Sequence, residues 1–125
     1  MPITIHEIDF DAPVDSNVVN VRISGKLTKE DYELFVPAMD EVIRQHGQVR
    51  ILMEMVDFHG WTLSATWEDT KFALKHFHDI ERLALVGDKA WEKGMAVFCK
   101  PFTRASIKYF DIADIAQAKS WIAEA

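Results

Sequence analysis

The stretch Asp57-Phe58-His59-Gly60-Trp61-Thr62-Leu63-Ser64 holds a carboxylate, an imidazole, two large aromatic rings and two hydroxyls in close succession. A carboxylate and an imidazole are the usual partners for moving a proton. An enzyme built on them would need a pocket that brings His59 to Asp57, or to Glu54 in the preceding apolar run. No nucleophile with an activating base accompanies them. Cys99 is the single cysteine and falls on the apolar stripe of its segment, where a buried structural thiol is the expectation. The chain has no Gly-x-Ser-x-Gly elbow, Walker loop or Gly-x-Gly-x-x-Gly run. Gly87-Asp88 reads as an ordinary strand-to-helix turn. The expectation is a non-enzymatic domain with no catalytic residues and no cofactor.

Metal chemistry is as thin. The histidines are His6, His46, His59, His76 and His78. His76 and His78 are two apart on a predicted helix and point in different directions, whereas a helical zinc pair needs i, i+4 spacing. One cysteine gives no thiolate cluster and no intramolecular disulfide. No metal site is expected.

Large apolar side chains are more suggestive. Phe58 and Trp61 follow an apolar strand. Trp91, Met95, Phe98 and Phe102 repeat along one helix face, and Met53 and Met55 share one face of a strand. Ligands of open α/β sheets bind beyond the C-terminal ends of the strands. Phe58 and Trp61 would lie at that edge, with Trp91 just beyond the fourth strand. These residues either line an apolar pocket or fill an ordinary core. The candidate ligand- or partner-binding set is therefore Asp57, Phe58, His59, Trp61, Thr62 and Ser64, joined by Trp91, Met95 and Phe98.

The elements that must position these residues alternate along the chain. Thr4 to Phe10 reads as a strand. Val18 to Ser24 is a second, with Val19, Val21 and Ile23 on one face and Asn20 and Arg22 on the other. The two should pair antiparallel. Thr28 and Asp31 form a capping box that starts a helix, which Gly47 ends. Pro37 inside it predicts a kink or a break. Val49 to Val56 reads as a central strand, and Asp57 to Trp61 as a loop. A helix over about 63–77 would turn Leu63, Trp67, Thr70, Leu74 and Phe77 inward. Arg82 to Val86 is a strand, Gly87-Asp88 opens a helix, Ser106 to Phe110 is a strand, and the last helix turns Ile115, Ala118 and Ile122 inward. The expected order is β-β-α-β-α-β-α-β-α. It makes an α/β single domain: a five-stranded mixed, mostly parallel sheet with about four helices. Glu54 should share a face with Arg50 and pair with it, or with a cation on a neighbouring strand, or reach solvent at the sheet mouth, or else form part of a ligand rim with Asp57.

A chain of 125 residues is the size of one domain. Its net charge of −6, with scattered cations, argues against nucleic acid. The start, Met1-Pro2-Ile3-Thr4-Ile5-His6-Glu7, lacks the basic and apolar regions of a secretory signal. No apolar run approaches the ~20 residues that span a bilayer. The expected location is the cytoplasm.

This element order, together with the segments Ile51 to Trp61, Leu83 to Asp88 and Ala118 to Ile122, resembles the SpoIIAA-like or STAS domains, a group also related to the CRAL-TRIO lipid-exchange domains. The resemblance implies the SpoIIAA-like fold over essentially the whole chain. It also implies a regulatory module that docks a protein partner, with a carrier of a lipid or acyl chain as the alternative. STAS antagonists carry a phosphorylatable Ser or Thr in a short Asp-Ser-x-Gly-like motif after the third strand. Asp57 and Gly60 match that motif, but Phe58 and His59 stand between them, and Thr62 and Ser64 are out of register. A homodimer through the first strand, or through the surface around Trp61, is a further expectation.

Overall fold

The first helix is set by local chemistry. The Thr28 hydroxyl accepts from the Asp31 backbone N–H at 3.3 Å, and the Asp31 carboxylate accepts from the Thr28 N–H at 2.8 Å. This reciprocal cap satisfies amides that the helix itself leaves unpaired. Helix α1 (Lys29–His46) ends at Gly47, whose N–H donates to the Ile43 carbonyl at 2.7 Å. It buries Tyr32, Phe35, Met39 and Ile43. The helix is unbroken through Pro37, which lies on its exposed side. The carbonyl that loses its helical donor there belongs to exposed Glu33, so water can satisfy it.

The computed structural model describes residues 2–5, 8–12, 16–75, 79–87 and 106–124. They form strands β1 (Pro2–Ile5), β2 (Ile8–Asp11), β3 (Val18–Leu27), β4 (Val49–Trp61), β5 (Ile80–Gly87) and β6 (Ser106–Asp111). With α1 are helices α2 (Leu63–Lys75) and α3 (Ile115–Ala123), the last preceded by a 3₁₀ turn, Ile112–Asp114. The sheet order is β1-β2-β3-β4-β5-β6. β1, β2 and β3 pair antiparallel, and β3 through β6 are parallel.

The α/β class and the mixed, mostly parallel sheet are as expected. The single first strand expected over Thr4–Phe10 is instead the pair β1 and β2, with Ile5 opposite Ile8. The helix expected after Gly87, with Trp91, Met95, Phe98, Cys99 and Phe102, lies outside the described residues, as do His6, His76, Phe77 and His78.

Strand alternation divides the core in two. Val19, Val21, Ile23, Ile51 and Leu85 meet α1 and α2 on one face. Leu52, Ala84 and Val86 meet Ala118 and Ile122 of α3 on the other. The C-terminal end of α3 is held down by two strand arginines. Arg50 donates to the carbonyls of Ile122, at 3.1 Å, and Glu124, and Arg82 donates to those of Trp121 and Glu124 at 2.8 and 2.9 Å. Glu54 pairs with Arg22 of the neighbouring strand at 3.2 Å, and Arg50 pairs with Glu81.

The segment expected as a loop is the continuation of β4. Beyond Ile23–Met55 the register steps to Gly25–Phe58, then to Lys26–Gly60 and Leu27–Trp61. Each irregularity inserts one extra residue into β4, as a β-bulge does. Asp57 takes φ 48°, a conformation that Asp tolerates better than most side chains, and Gly60 takes φ 99°, which needs glycine. The first bulge resets the alternation. Asp57 would otherwise have followed Met55 inward. It is exposed instead, and Phe58 is fully buried.

Phe58→Ala should therefore cost about 3–5 kcal/mol in urea denaturation, as for a large core side chain. Thr28→Ala should cost about 1 kcal/mol through loss of the cap. A Phe58 effect within ~0.5 kcal/mol would instead place the ring in a surface loop.

Candidate functional site

The site lies on the α1–α2 side of the sheet, at the C-terminal ends of the parallel strands. Phe58 and Trp61 stack edge to face, with ring centroids 4.9 Å apart and planes at 84°. Trp61 is partly buried and turns its indole toward α1. Its Nε1–H donates to the Tyr32 hydroxyl at 2.7 Å, and that hydroxyl donates to the Asp69 carboxylate at 3.0 Å. Three elements, β4, α1 and α2, thus meet in one hydrogen-bonded chain.

Beneath this chain is a cavity of about 90 Å³. Ile23, Leu27, Met53 and Leu85 form its sheet side, and Phe35 and Phe72 its helix side. Tyr32, Trp61 and Asp69 supply its polar atoms. Burial pushes the Tyr32 phenol well above its ordinary range, and the nearby Asp69 charge adds to the effect. Burial also raises the Asp69 carboxyl, and the hydrogen bond from Tyr32 offsets part of that rise.

Helix α2 is placed by Thr62. Its N–H donates to Leu27 at the end of β3, and its hydroxyl accepts from the Ala65 N–H at 3.1 Å, in N-cap geometry. This fixes the rotation of the helix. Ala65 and Phe72 are buried, with Asp69 between them on the same side. Leu63 and Trp67, expected inward, point to solvent at 92 % and 62 % exposure. The apolar stripe is corrected accordingly: the small Ala65 lets the helix approach the sheet at a position the large Trp67 would hold open. The side chains of Thr70 and Leu74 lie outside the described residues.

Of the expected site residues, the structure brings Phe58 and Trp61 into edge-to-face contact, and Trp61 lines the cavity. Asp57 and His59 are exposed on the bulged strand, Thr62 caps the helix, and Ser64 is exposed in its first turn. Trp91, Met95 and Phe98 lie outside the described residues. Phe58 is fully buried and fills the core, the second of the two roles expected for it. Tyr32 and Asp69 were missed as site residues. Their signal was present: Asp69 stands four residues after Ala65 and three before Phe72, an acid on the inward side of a helix. Glu54 faces α3, paired with Arg22, and so is no rim partner of Asp57. Among the described residues, no group of three His, Cys, Asp or Glu side chains could hold a metal ion. Among those residues, too, no helix is long and apolar enough to cross a membrane.

A mixed sheet with α1 and α2 on one face, α3 on the other and a largely apolar cavity bordered by Trp61, Tyr32 and Asp69 defines an α/β domain of the binding or regulatory kind. The chain belongs to the SpoIIAA-like family, whose model matches residues 18–123. It is similar in structure to a protein of the DUF3478 family with a SpoIIAA-like fold from Shewanella loihica PV-4. The two are 27 % identical, with a TM-score of 0.76 over 98 % of this chain and 99 % of that one. No curated protein matches the chain.

The raised Asp69 carboxyl has a defined consequence for stability. The folded chain keeps this proton at pH values where the unfolded chain, with a carboxyl near ~3.9, has lost it. The stabilising contribution is full below that unfolded value and is lost as pH rises through the folded one. Asp69→Asn removes this titration. Urea denaturation at pH 4 and pH 8 should show the difference between Asp69→Asn and wild type growing with pH in favour of the variant. A difference independent of pH would contradict the assignment.

Proposed function

We propose that the domain is a non-enzymatic binding module that docks a protein partner through the outward face of the first turns of α2. One observation carries this reading: Leu63 and Trp67, one turn apart on the same helix face, are 92 % and 62 % exposed. Side by side they form an apolar patch, and tryptophan is a favoured anchor of protein interfaces. Ser64 and Thr66 add exposed hydroxyls along the same turns. The docking edge thus sits a few residues beyond Phe58 and Trp61. A non-catalytic role is supported by the separation of the candidate proton-transfer groups: His59 and Asp57 face solvent, while Glu54 pairs with Arg22 near α3.

A second reading, a carrier or sensor of a small hydrophobic molecule, is favoured by the cavity beneath Trp61. A volume of about 90 Å³ lies below the ~300–1,000 Å³ typical of drug-sized ligand sites. The cavity would therefore enclose one end of a larger molecule rather than a whole acyl chain.

The double variant Leu63→Ser, Trp67→Ser tests the docking reading. Exposed residues of this kind contribute within ~0.5 kcal/mol each, so the fold should persist. Crosslinked capture from a lysate of the source cells should recover a discrete protein with the wild-type chain and lose it with the double variant. Equal recovery by both would remove α2 as the docking face.

A further inference from the structure

The cavity has an electrostatic character that its apolar walls conceal. Among the described residues, its lining holds one carboxyl, Asp69, one phenol, Tyr32, and no lysine, arginine or histidine. The next charge acting on Tyr32 is also acidic: Asp31, which is buried in the first turn of α1.

The hydrogen-bond inventory points the same way. The Trp61 N–H is spent on the Tyr32 oxygen, and the Tyr32 proton is spent on Oδ1 of Asp69. What is left on the polar wall is accepting capacity. Among the described residues, Asp69 accepts from Tyr32 alone and pairs with no cation. A carboxylate in an apolar setting is stabilised by a positive charge or a donor that follows it there.

We infer that the cavity receives the ammonium end of a small apolar amine, with the –NH₃⁺ donating to Asp69 and the alkyl stem lying against Ile23, Leu27 and Met53. The size agrees. About 90 Å³ corresponds to roughly three waters at ~30 Å³ each, space for an ammonium and a short run of methylenes. Asp69 and Trp61 are the partly exposed members of the polar wall, so the rest of a longer amine would leave past them. A fatty-acid carboxylate has the wrong sign for this wall. The inference rests on the small-ligand reading above and narrows it from any apolar molecule to amines.

The test is an NMR titration of the full chain at pH 7.5 with n-butylamine, n-butanol and sodium butyrate at matched ionic strength. The readout is the Trp61 indole N–H resonance, assigned with Trp61→Phe. The expected result is a saturable shift with butylamine, affinity for butanol lower by about tenfold or more, and no saturation with butyrate. Asp69→Asn should lower the affinity for butylamine to that for butanol. Equal affinity for the amine and the alcohol, or an unchanged amine affinity in Asp69→Asn, overturns the amine assignment and leaves the small-ligand reading standing. No saturable shift with any of the three probes overturns both. Leu83→Phe, which adds bulk to the cavity lining, serves if Asp69→Asn does not fold. Loss of the butylamine response in that variant supports the site, and an undiminished response overturns it.

Discussion

Two extra residues in β4 govern the functional side of this domain. A strand without them would continue its alternation from Met55 and turn Asp57 inward, burying a carboxylate among apolar side chains. The bulge at Asp57 turns Phe58 inward instead, and the second irregularity, at Gly60, brings Trp61 opposite Leu27. From there the Thr62 N–H reaches the Leu27 carbonyl, and α2 starts with a fixed rotation. The position of Asp69 beside Tyr32 and the outward display of Leu63 and Trp67 both descend from that start. Cavity wall and proposed docking face are thus two sides of one helix, set by one local feature of the neighbouring strand.

The Trp61–Tyr32–Asp69 chain is the polar counterpart of that geometry. An indole N–H and a phenol enclosed by apolar groups are costly when unpaired, so each link holds the next in place. The chain ends on a carboxyl rather than a neutral acceptor, at a cost in stability that apolar packing would avoid. That cost fits a binding role, in which a group is kept for what it recognises.

The opposite face of the sheet follows another logic. There α3 lies across β4, β5 and β6, and its last carbonyls are satisfied by Arg50 and Arg82 reaching up from the strands. Trp121 lies under the Arg82 guanidinium at 5.4 Å and near the Lys108 ammonium at 5.6 Å, so the helix end is held by charge as well as burial. The Arg22–Glu54 pair occupies the part of this face nearest β3. The ionic groups on this side brace the helix end and the sheet, while the α1–α2 side holds Asp69, which pairs with no cation among the described residues.

Features that depend on neighbours along the chain could be read from the residues alone. The Thr28–Asp31 box and Gly47 bound α1, because caps act within one turn. The alternation of Val19, Val21 and Ile23 assigned the faces of β3, and the alternating strands and helices assigned the α/β class and the parallel centre. The inward positions Ala118 and Ile122 of α3 were equally legible. Features that depend on register between distant segments emerged only in the folded chain. A bulge exists only relative to a partner strand, so nothing within Asp57–Trp61 announced that β3 would extend to meet it. The rotation of α2 was hidden for the same reason. Its sequence offers two apolar stripes, one with Leu63 and Trp67 and one with Ala65 and Phe72. The hydrogen bond from Thr62 to Leu27, made across the fold, chose between them.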